Sequence, residues 1–177
     1  MSDPWAPLAA LPPVPTPPAM RAAVLVPFYE WGGTLRLIMT KRPDGMRTHP
    51  GDVVFPGGMI EPGDDGPVET AMREAHEEVA LPPENVEVLG GLEPVHTRSA
   101  EMLIIPVVAR VERPERLVPQ PDEVEAIIEP TIDELLDDGH WVTQDWAGRT
   151  MWFYEFPEGI LWGATAFMVR QLLEYFR

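Results

Sequence analysis

The spacing of apolar and polar positions changes several times along the chain, and each change predicts an element. The run AAVLVPF (Ala22 to Phe28) is continuously apolar and of strand length. The sequence EWGG (Glu30 to Gly33) signals a turn, and LRLIMTK (Leu35 to Lys41) alternates, so a hairpin is expected. DVVFPGG (Asp52 to Gly58) reads as a short strand halted by proline and paired glycines. From Pro67 the period becomes helical and lasts to about Ala80. Met72, Ala75 and Val79 give it an apolar face, Asp64, Asp65 or Gly66 can cap it, and Pro82 and Pro83 stop it. VEVLGGLEPV, MLIIPVVARV and VEAIIEP return to strand character, and TIDELL opens a short helix with a capping box from Thr131 to Glu134. WAGRTMWFYEF looks like half of another hairpin. The end of the chain, from about Leu161 to Phe176, carries apolar residues at helical spacing and reads as a helix packed on the core. Strands outnumber helices and the helices fall between them, which predicts an α/β (α+β) fold with a mixed sheet and helices on its faces. Residues 1–19 are dense in proline and read as an extended arm or disordered lead, leaving 20–177 as a single domain.

Composition narrows the function. The chain has 177 residues, no cysteine, and 13 basic against 29 acidic side chains, a formal net charge of −16. Disulfides, thiolate zinc sites and cysteine nucleophiles are excluded. The charge disfavours nucleic acid and anionic membranes as partners. No apolar stretch is long enough to span a bilayer, and the first residues lack the pattern of a secretory signal, so a cytoplasmic location is expected. A phosphate-bearing ligand must then meet a local group of cations or a bound metal. Homodimerisation is compatible with the sequence but not specified by it.

The acidity is concentrated. GGMIEPGDDGPVETAMREAHEEVAL (Gly57 to Leu81) holds seven carboxylates, and Arg73 is the one Lys or Arg in it. Glu74, Glu77 and Glu78 stand at i, i+3 and i+4, on one helical face, where like charges repel. A solvated acidic face is the ordinary explanation of such a pattern, but it would normally interleave lysine. A glycine-rich turn leads directly into this helix and lets backbone carbonyls approach a ligand. Clustered hard oxygens of this kind suit Mg²⁺ or Mn²⁺.

These residues resemble the signature of the Nudix hydrolases: Gly, five intervening residues, Glu, seven intervening residues, then Arg-Glu-aliphatic-any-Glu-Glu-any-Gly-aliphatic. A second stretch, LIMTKRPDGMRTHPGDVVFPGG (Leu37 to Gly58), is similar to the additional motif of the coenzyme A pyrophosphatase branch. Its positions fall on Thr40, Arg42, Arg47, Gly51 and Phe55 to Gly58. The resemblance implies a Nudix α/β/α sandwich and a Mg²⁺- or Mn²⁺-dependent attack of water on a diphosphate linkage in a small nucleotide substrate. It implies Glu74, Glu77 and Glu78 as metal ligands, a backbone carbonyl at Gly57 or Gly58 as another, and Asp64 as a ligand through water. Arg73 is expected to orient the glutamates, and Glu123 (in preference to Glu125) to serve the metal or the attacking water. Lys41, Arg42 and Arg47, with His49, form a dense basic patch expected to bind substrate phosphates, including a 3′-phosphate; Arg98 and His96 are expected to line the far side of the pocket, and no role is assigned to His96. Trp141, Trp146, Trp152 and Phe153 could stack an adenine, although aromatic residues at strand spacing more often belong to core or interface.

The chain departs from the pattern in places. Asp64 replaces the first glutamate, and the gap to Arg73 is one residue longer than usual. Ala80 replaces the closing glycine and should resist a left-handed helix end by about 1 kcal/mol. HTRSAEMLIIPVV lacks the aromatic-glycine pattern of the branch's substrate loop. The alternatives to coenzyme A are therefore another nucleoside diphosphate derivative, such as ADP-ribose or a dinucleotide, and a nucleotide-binding regulator without turnover.

Overall fold

The computed structural model describes residues 2–97 and 102–177. The first apolar run lies within a long central strand, β1 (Met20–Trp31), buried along most of its length. Gly32 and Gly33 follow with φ of 61° and 79°, a turn conformation that L side chains rarely adopt. The chain then returns antiparallel as β2 (Thr34–Leu37). The alternating segment expected as one strand divides at the fully buried Ile38, and β3 (Met39–Lys41) enters a different sheet. There follow β4 (Val53–Val54), β5 (Gly57–Met59) and the first α-helix, α1 (Pro67–Val79). After it come β6 (Val86–Gly91), β7 (Val95–His96), β8 (Leu103–Val111) and β9 (Ala126–Ile128). The last elements are α2 (Ile132–Leu136), the strands β10 (Trp141–Trp146), β11 (Arg149–Glu155) and β12 (Ile160–Leu161), and α3 (Gly163–Leu173).

The main sheet runs β2-β1-β8-β6, with β5 also on β1 and β7 also on β8. It is mixed, since β1 and β8 are parallel and the other pairs antiparallel. Two smaller sheets, β4-β3-β9 and β10-β11-β12, complete the fold. Alternate residues of the central strands supply two cores, as strand geometry requires. Ala23, Leu25, Ile105 and Val107 pack with Ala71, Ala75 and Val79 of α1. Val26, Phe28 and Val108 pack with Val169, Leu172 and Leu173 of α3. The architecture is therefore the expected α/β/α sandwich. On α1 the apolar stripe is Ala71, Ala75 and Val79, while Met72 is only partly buried.

Two local features differ from expectation. The proline-rich segment is neither free nor wholly extended: Ala6–Ala10 forms a 3₁₀ turn with Leu8 buried, and Trp5 meets Phe28 edge-on. Its Pro12 carbonyl accepts the Gly91 N–H at 2.9 Å, so the arm is bonded to β6. Ala80 does adopt the left-handed conformation (φ 57°, ψ 35°) that its Cβ disfavours. Two interactions offset that cost: the Ala80 N–H donates to the His76 carbonyl at 3.0 Å, and Leu81 is buried completely. The capping box at Thr131 and Glu134 forms as expected.

Candidate active site

The paired glycines place β5 against β1, with Gly57 opposite Val24 and Gly58 opposite Ala23. A Cβ at Gly57 would lie 2.5 Å from the Ala23 carbonyl oxygen, and one at Gly58 would fall on the Glu74 carboxylate. The glycines thus let α1 bring its acidic face onto the turn. Gly58→Ala is expected to displace Glu74 while the fold persists, lowering kcat/KM by about tenfold or more. A circular dichroism spectrum compared with steady-state rates will show whether activity falls without unfolding.

On α1, Glu74 and Glu78 are 9% and 7% exposed, unusual for glutamates. Glu123, exposed and carried by the segment before β9, joins them: one carboxylate oxygen from each of the three lies within 4.8 Å of the others. Burial first, then the charges of Glu74 and Glu123, push the Glu78 carboxyl up to about 8. The Gly57 N–H and the charge of Arg42 pull it the other way. Glu74 is also raised, chiefly by burial and against the opposing pull of Arg73. The three groups make a hard-oxygen donor set in which negative charge is poorly tolerated, and a Mg²⁺ or Mn²⁺ ion would relieve both the burial and the repulsion. The donor set therefore fits such an ion.

Arg73 organises the neighbouring carboxylates. Its Nε and Nη2 donate to the two oxygens of Asp64 at 3.0 and 2.9 Å, and Nη2 also reaches the Met59 carbonyl at 3.0 Å. Its Nη1 bonds Glu74 at 3.1 Å and Glu77 at 3.4 Å. Asp64 further accepts the Thr70 hydroxyl at 2.9 Å and the Glu61 N–H at 3.0 Å. The Arg73 guanidinium holds its carboxyl well below the usual carboxylate range. Both Asp64 oxygens thus accept hydrogen bonds, and Asp64 clamps Arg73. Glu77 is exposed, pairs with Arg73, and stands outside the group of three. Gly57 meets Glu78 through its N–H.

The expected basic cluster is divided by its partners. Lys41 forms ion pairs with Glu125 and Asp44, so its charge is already neutralised. Arg42 donates to the carbonyl and hydroxyl of Thr48, at 3.2 and 3.3 Å, and holds the loop that carries Arg47. Arg47 is exposed. Arg98 lies outside the described residues, as does the rest of the RSAE stretch. His96 is on β7 and exposed. Among the aromatic candidates, Trp141 is buried and Trp152 lies under the Arg170 guanidinium at 4.0 Å. Trp146 and Phe153 instead line an open groove of about 440 Å³ with Trp162, Lys41 and Asp52. A larger hollow of about 1120 Å³, between Trp5, Tyr29, Arg36 and Arg113, contains none of the three clustered carboxylates.

Sequence reasoning overlooked Thr70 and Gln120. Thr70 stands three residues before Arg73 on the same helical face, a spacing that would have signalled a shared partner in Asp64. Gln120 precedes Glu123 in a QPDE turn, the composition of a side-chain-to-backbone bond.

Comparison with known proteins is consistent with this geometry. The NUDIX domain matches residues 19–150. A Nudix hydrolase NudL of Pectobacterium atrosepticum is 37% identical over 167 residues, covering 88% of this chain and 86% of that protein. The mitochondrial Nudix hydrolase 15 of Arabidopsis thaliana is 34% identical over 157 residues, covering 82% of this chain and 55% of that protein. Among solved structures, the NUDIX domain of Shewanella oneidensis NrtR, complexed with ADP ribose, superposes with a TM-score of 0.58 at 16% identity, covering 89% of this chain and 88% of that one. A MutT NUDIX hydrolase from Burkholderia pseudomallei gives 0.53 at 19% identity, covering 86% and 97%. At these identities the structural matches speak for the fold alone. Among the described residues, no helix is long and apolar enough to cross a membrane.

Proposed function

This chain belongs to the NUDIX domain family, and on that footing we propose that it is a coenzyme A or acyl-coenzyme A pyrophosphatase. It is a Nudix hydrolase acting on nucleoside diphosphate derivatives. Hydrolysis of coenzyme A would break one P–O bond of the diphosphate and yield 3′,5′-ADP and 4′-phosphopantetheine, acylated when the substrate is. The observation that carries the reading is the convergence of Glu74, Glu78 and Glu123 beside the glycine turn. These three would hold a divalent cation, and Gly57, which abuts Glu78, is the backbone candidate for a further oxygen. The ion, when bound, supplies charge neutralisation for the diphosphate and lowers the pKa of water.

The residues of the chain do the rest. Arg73 holds Glu74 in place while Asp64, Thr70 and the Glu61 N–H hold Arg73. Glu123, the exposed member of the trio, would accept a proton from the attacking water. The choice of coenzyme A is supported by the upstream motif folding as one unit. Thr40 and Lys41 pair with Val54 and Val53, and the Arg42 N–H donates to the Asp52 carbonyl at 2.9 Å. The Gly51 N–H returns to the Arg42 carbonyl at 3.1 Å, with Gly51 at φ 72°. This closed loop offers Arg42 and Arg47 directly ahead of the glycine turn. With Lys41 neutralised, those two arginines are the loop's remaining candidates for a 3′-phosphate.

Products from coenzyme A, dephospho-coenzyme A, ADP-ribose and a dinucleotide, separated by ion-exchange chromatography after incubation with Mg²⁺, test the proposal. Coenzyme A is expected to exceed its dephospho form in kcat/KM by about tenfold or more, the value of one charge-assisted contact. Arg47→Ala should raise KM for coenzyme A by about tenfold and leave dephospho-coenzyme A unaffected. An unchanged KM would remove Arg47 from the site. Faster turnover of ADP-ribose or the dinucleotide would replace coenzyme A as the substrate but keep the hydrolase.

A further inference from the structure

The last carbonyls of a helix have no intrahelical donor. On α1 those of Glu78 and Val79 are met by a segment that returns much later in the chain. The Gln120 N–H donates to the Glu78 carbonyl at 2.8 Å, and the Val118 N–H donates to that of Val79 at 3.0 Å. Gln120 also grips the residues that follow it. Its carbonyl accepts the N–H groups of Val124 at 2.8 Å and Glu123 at 3.1 Å. Its side-chain Oε1 accepts those of Asp122 at 2.6 Å and Glu123 at 3.1 Å. One residue therefore holds the Glu78 peptide with its N–H and the Glu123 peptide with both of its oxygens.

The flanks of this turn are fixed independently. Leu117 and Val124 are buried on either side of it. Beyond Val124, the Glu125 N–H donates to the Lys41 carbonyl at 2.9 Å, and the Lys41 and Glu125 side chains are ion-paired. What remains adjustable is the short stretch from Gln120 to Glu123. Glu123 is also the member of the trio that mutual repulsion can most easily drive outward, because it is exposed while Glu74 and Glu78 are buried. We infer that Gln120 is a positioning residue that fixes Glu123 against Glu78, so that the three oxygens are gathered before any ion arrives. The inference rests on the reading of those carboxylates as the cation site. Preorganisation of this kind removes an ordering cost from binding, and groups that orient ligands typically change affinity or activity by about 10- to 100-fold.

Gln120→Met keeps the side-chain length and removes its acceptor, whereas Gln120→Glu keeps an acceptor oxygen. Titration calorimetry of Mn²⁺ into the full chain, with kcat and KM measured in parallel, separates the possibilities. Gln120→Met is expected to weaken Mn²⁺ binding and lower kcat by about tenfold each with KM little changed, and Gln120→Glu to restore both. In a Glu123→Gln background, Gln120→Met should add little further loss of Mn²⁺ affinity, since it acts through Glu123. Additive losses would overturn the inference, as would a folded Gln120→Met protein with wild-type affinity and turnover, whatever its melting temperature. The backbone bonds survive these substitutions, and Gln120→Ala serves the same comparison if methionine is not accommodated. If the wild-type chain itself gives no Mn²⁺ isotherm, the cation site falls and the inference with it. If the wild type binds and Gln120→Met matches it, only the role of Gln120 falls.

Discussion

Glu78→Gln is expected to lower turnover by about 10³-fold while making the metal-free protein more stable at neutral and alkaline pH. Both effects come from one feature. The Glu78 side chain is buried beside Glu74 and Glu123, and its carboxyl is pushed from 4.5 to about 8. A carboxyl raised in the folded state favours folding in its protonated form. That contribution is fully present below pH 4.5 and is lost as pH rises through about 8. The wild-type protein in chelator should therefore lose stability between pH 4.5 and about 8, by on the order of a few kcal/mol from this group, and level off above that. Glutamine carries no charge at any of these values and should flatten that slope. Added Mg²⁺ should raise the melting temperature of the wild type and have much less effect on the variant, because a ligand that binds only the folded state stabilises it. Calorimetric melts across that pH range, with and without Mg²⁺, read the stability outcomes, and steady-state rates with Mg²⁺ read the turnover. Wild-type turnover in Glu78→Gln would remove Glu78 from the reaction, and an unchanged pH slope would remove it from the apo-state electrostatics.

Arg73→Ala should act in the opposite direction on stability. The guanidinium joins Asp64, Glu74, Glu77 and the Met59 carbonyl across the junction between β5 and α1. The Asp64 side chain is only 5% exposed, so removing its cation leaves a buried carboxylate with Thr70 and the Glu61 N–H alone. Stranding a buried charge in this way costs on the order of 3 kcal/mol, discounted for the exposed rim of the cluster. For a domain of this size that corresponds to a fall in melting temperature of roughly 6–12 °C. Turnover should fall as well, because Glu74 loses its orienting partner. Asp64→Asn should reproduce part of both effects, since Asp64 acts through Arg73. If Asp64 instead served a cation, Asp64→Asn would weaken Mn²⁺ binding while leaving the melting temperature of the metal-free protein unchanged.

The comparison of Asp64 with Glu78 shows where reading the sequence reached its limit. Both are acids in one short stretch, and both were expected to serve a metal. Helical periodicity placed Glu78 beside Glu74, because that relation depends only on residues four apart. It could not show that Arg73, Thr70 and the Glu61 N–H compete for Asp64, since that competition is settled by a turn folding back on α1. Lys41 and Glu125 pose the same problem: each resembled a site residue, and each is neutralised by the other across β3 and the start of β9.

Local chemistry in the sequence determined the helix with its proline start, the acidic face on it, the glycine turn before it, the capping box, and a sheet flanked by helices. Each of these depends on backbone preference or on residues a few positions apart. Only the tertiary structure decided that β1 runs parallel to β8, that Ile38 ends one strand and leads into another, and that Ala80 turns left-handed to bury Leu81. It also decided that Glu123, rather than Glu125, reaches Glu74 and Glu78. These outcomes depend on which distant groups compete for the same hydrogen bonds, charges and buried space, and that competition is resolved only when the whole chain packs.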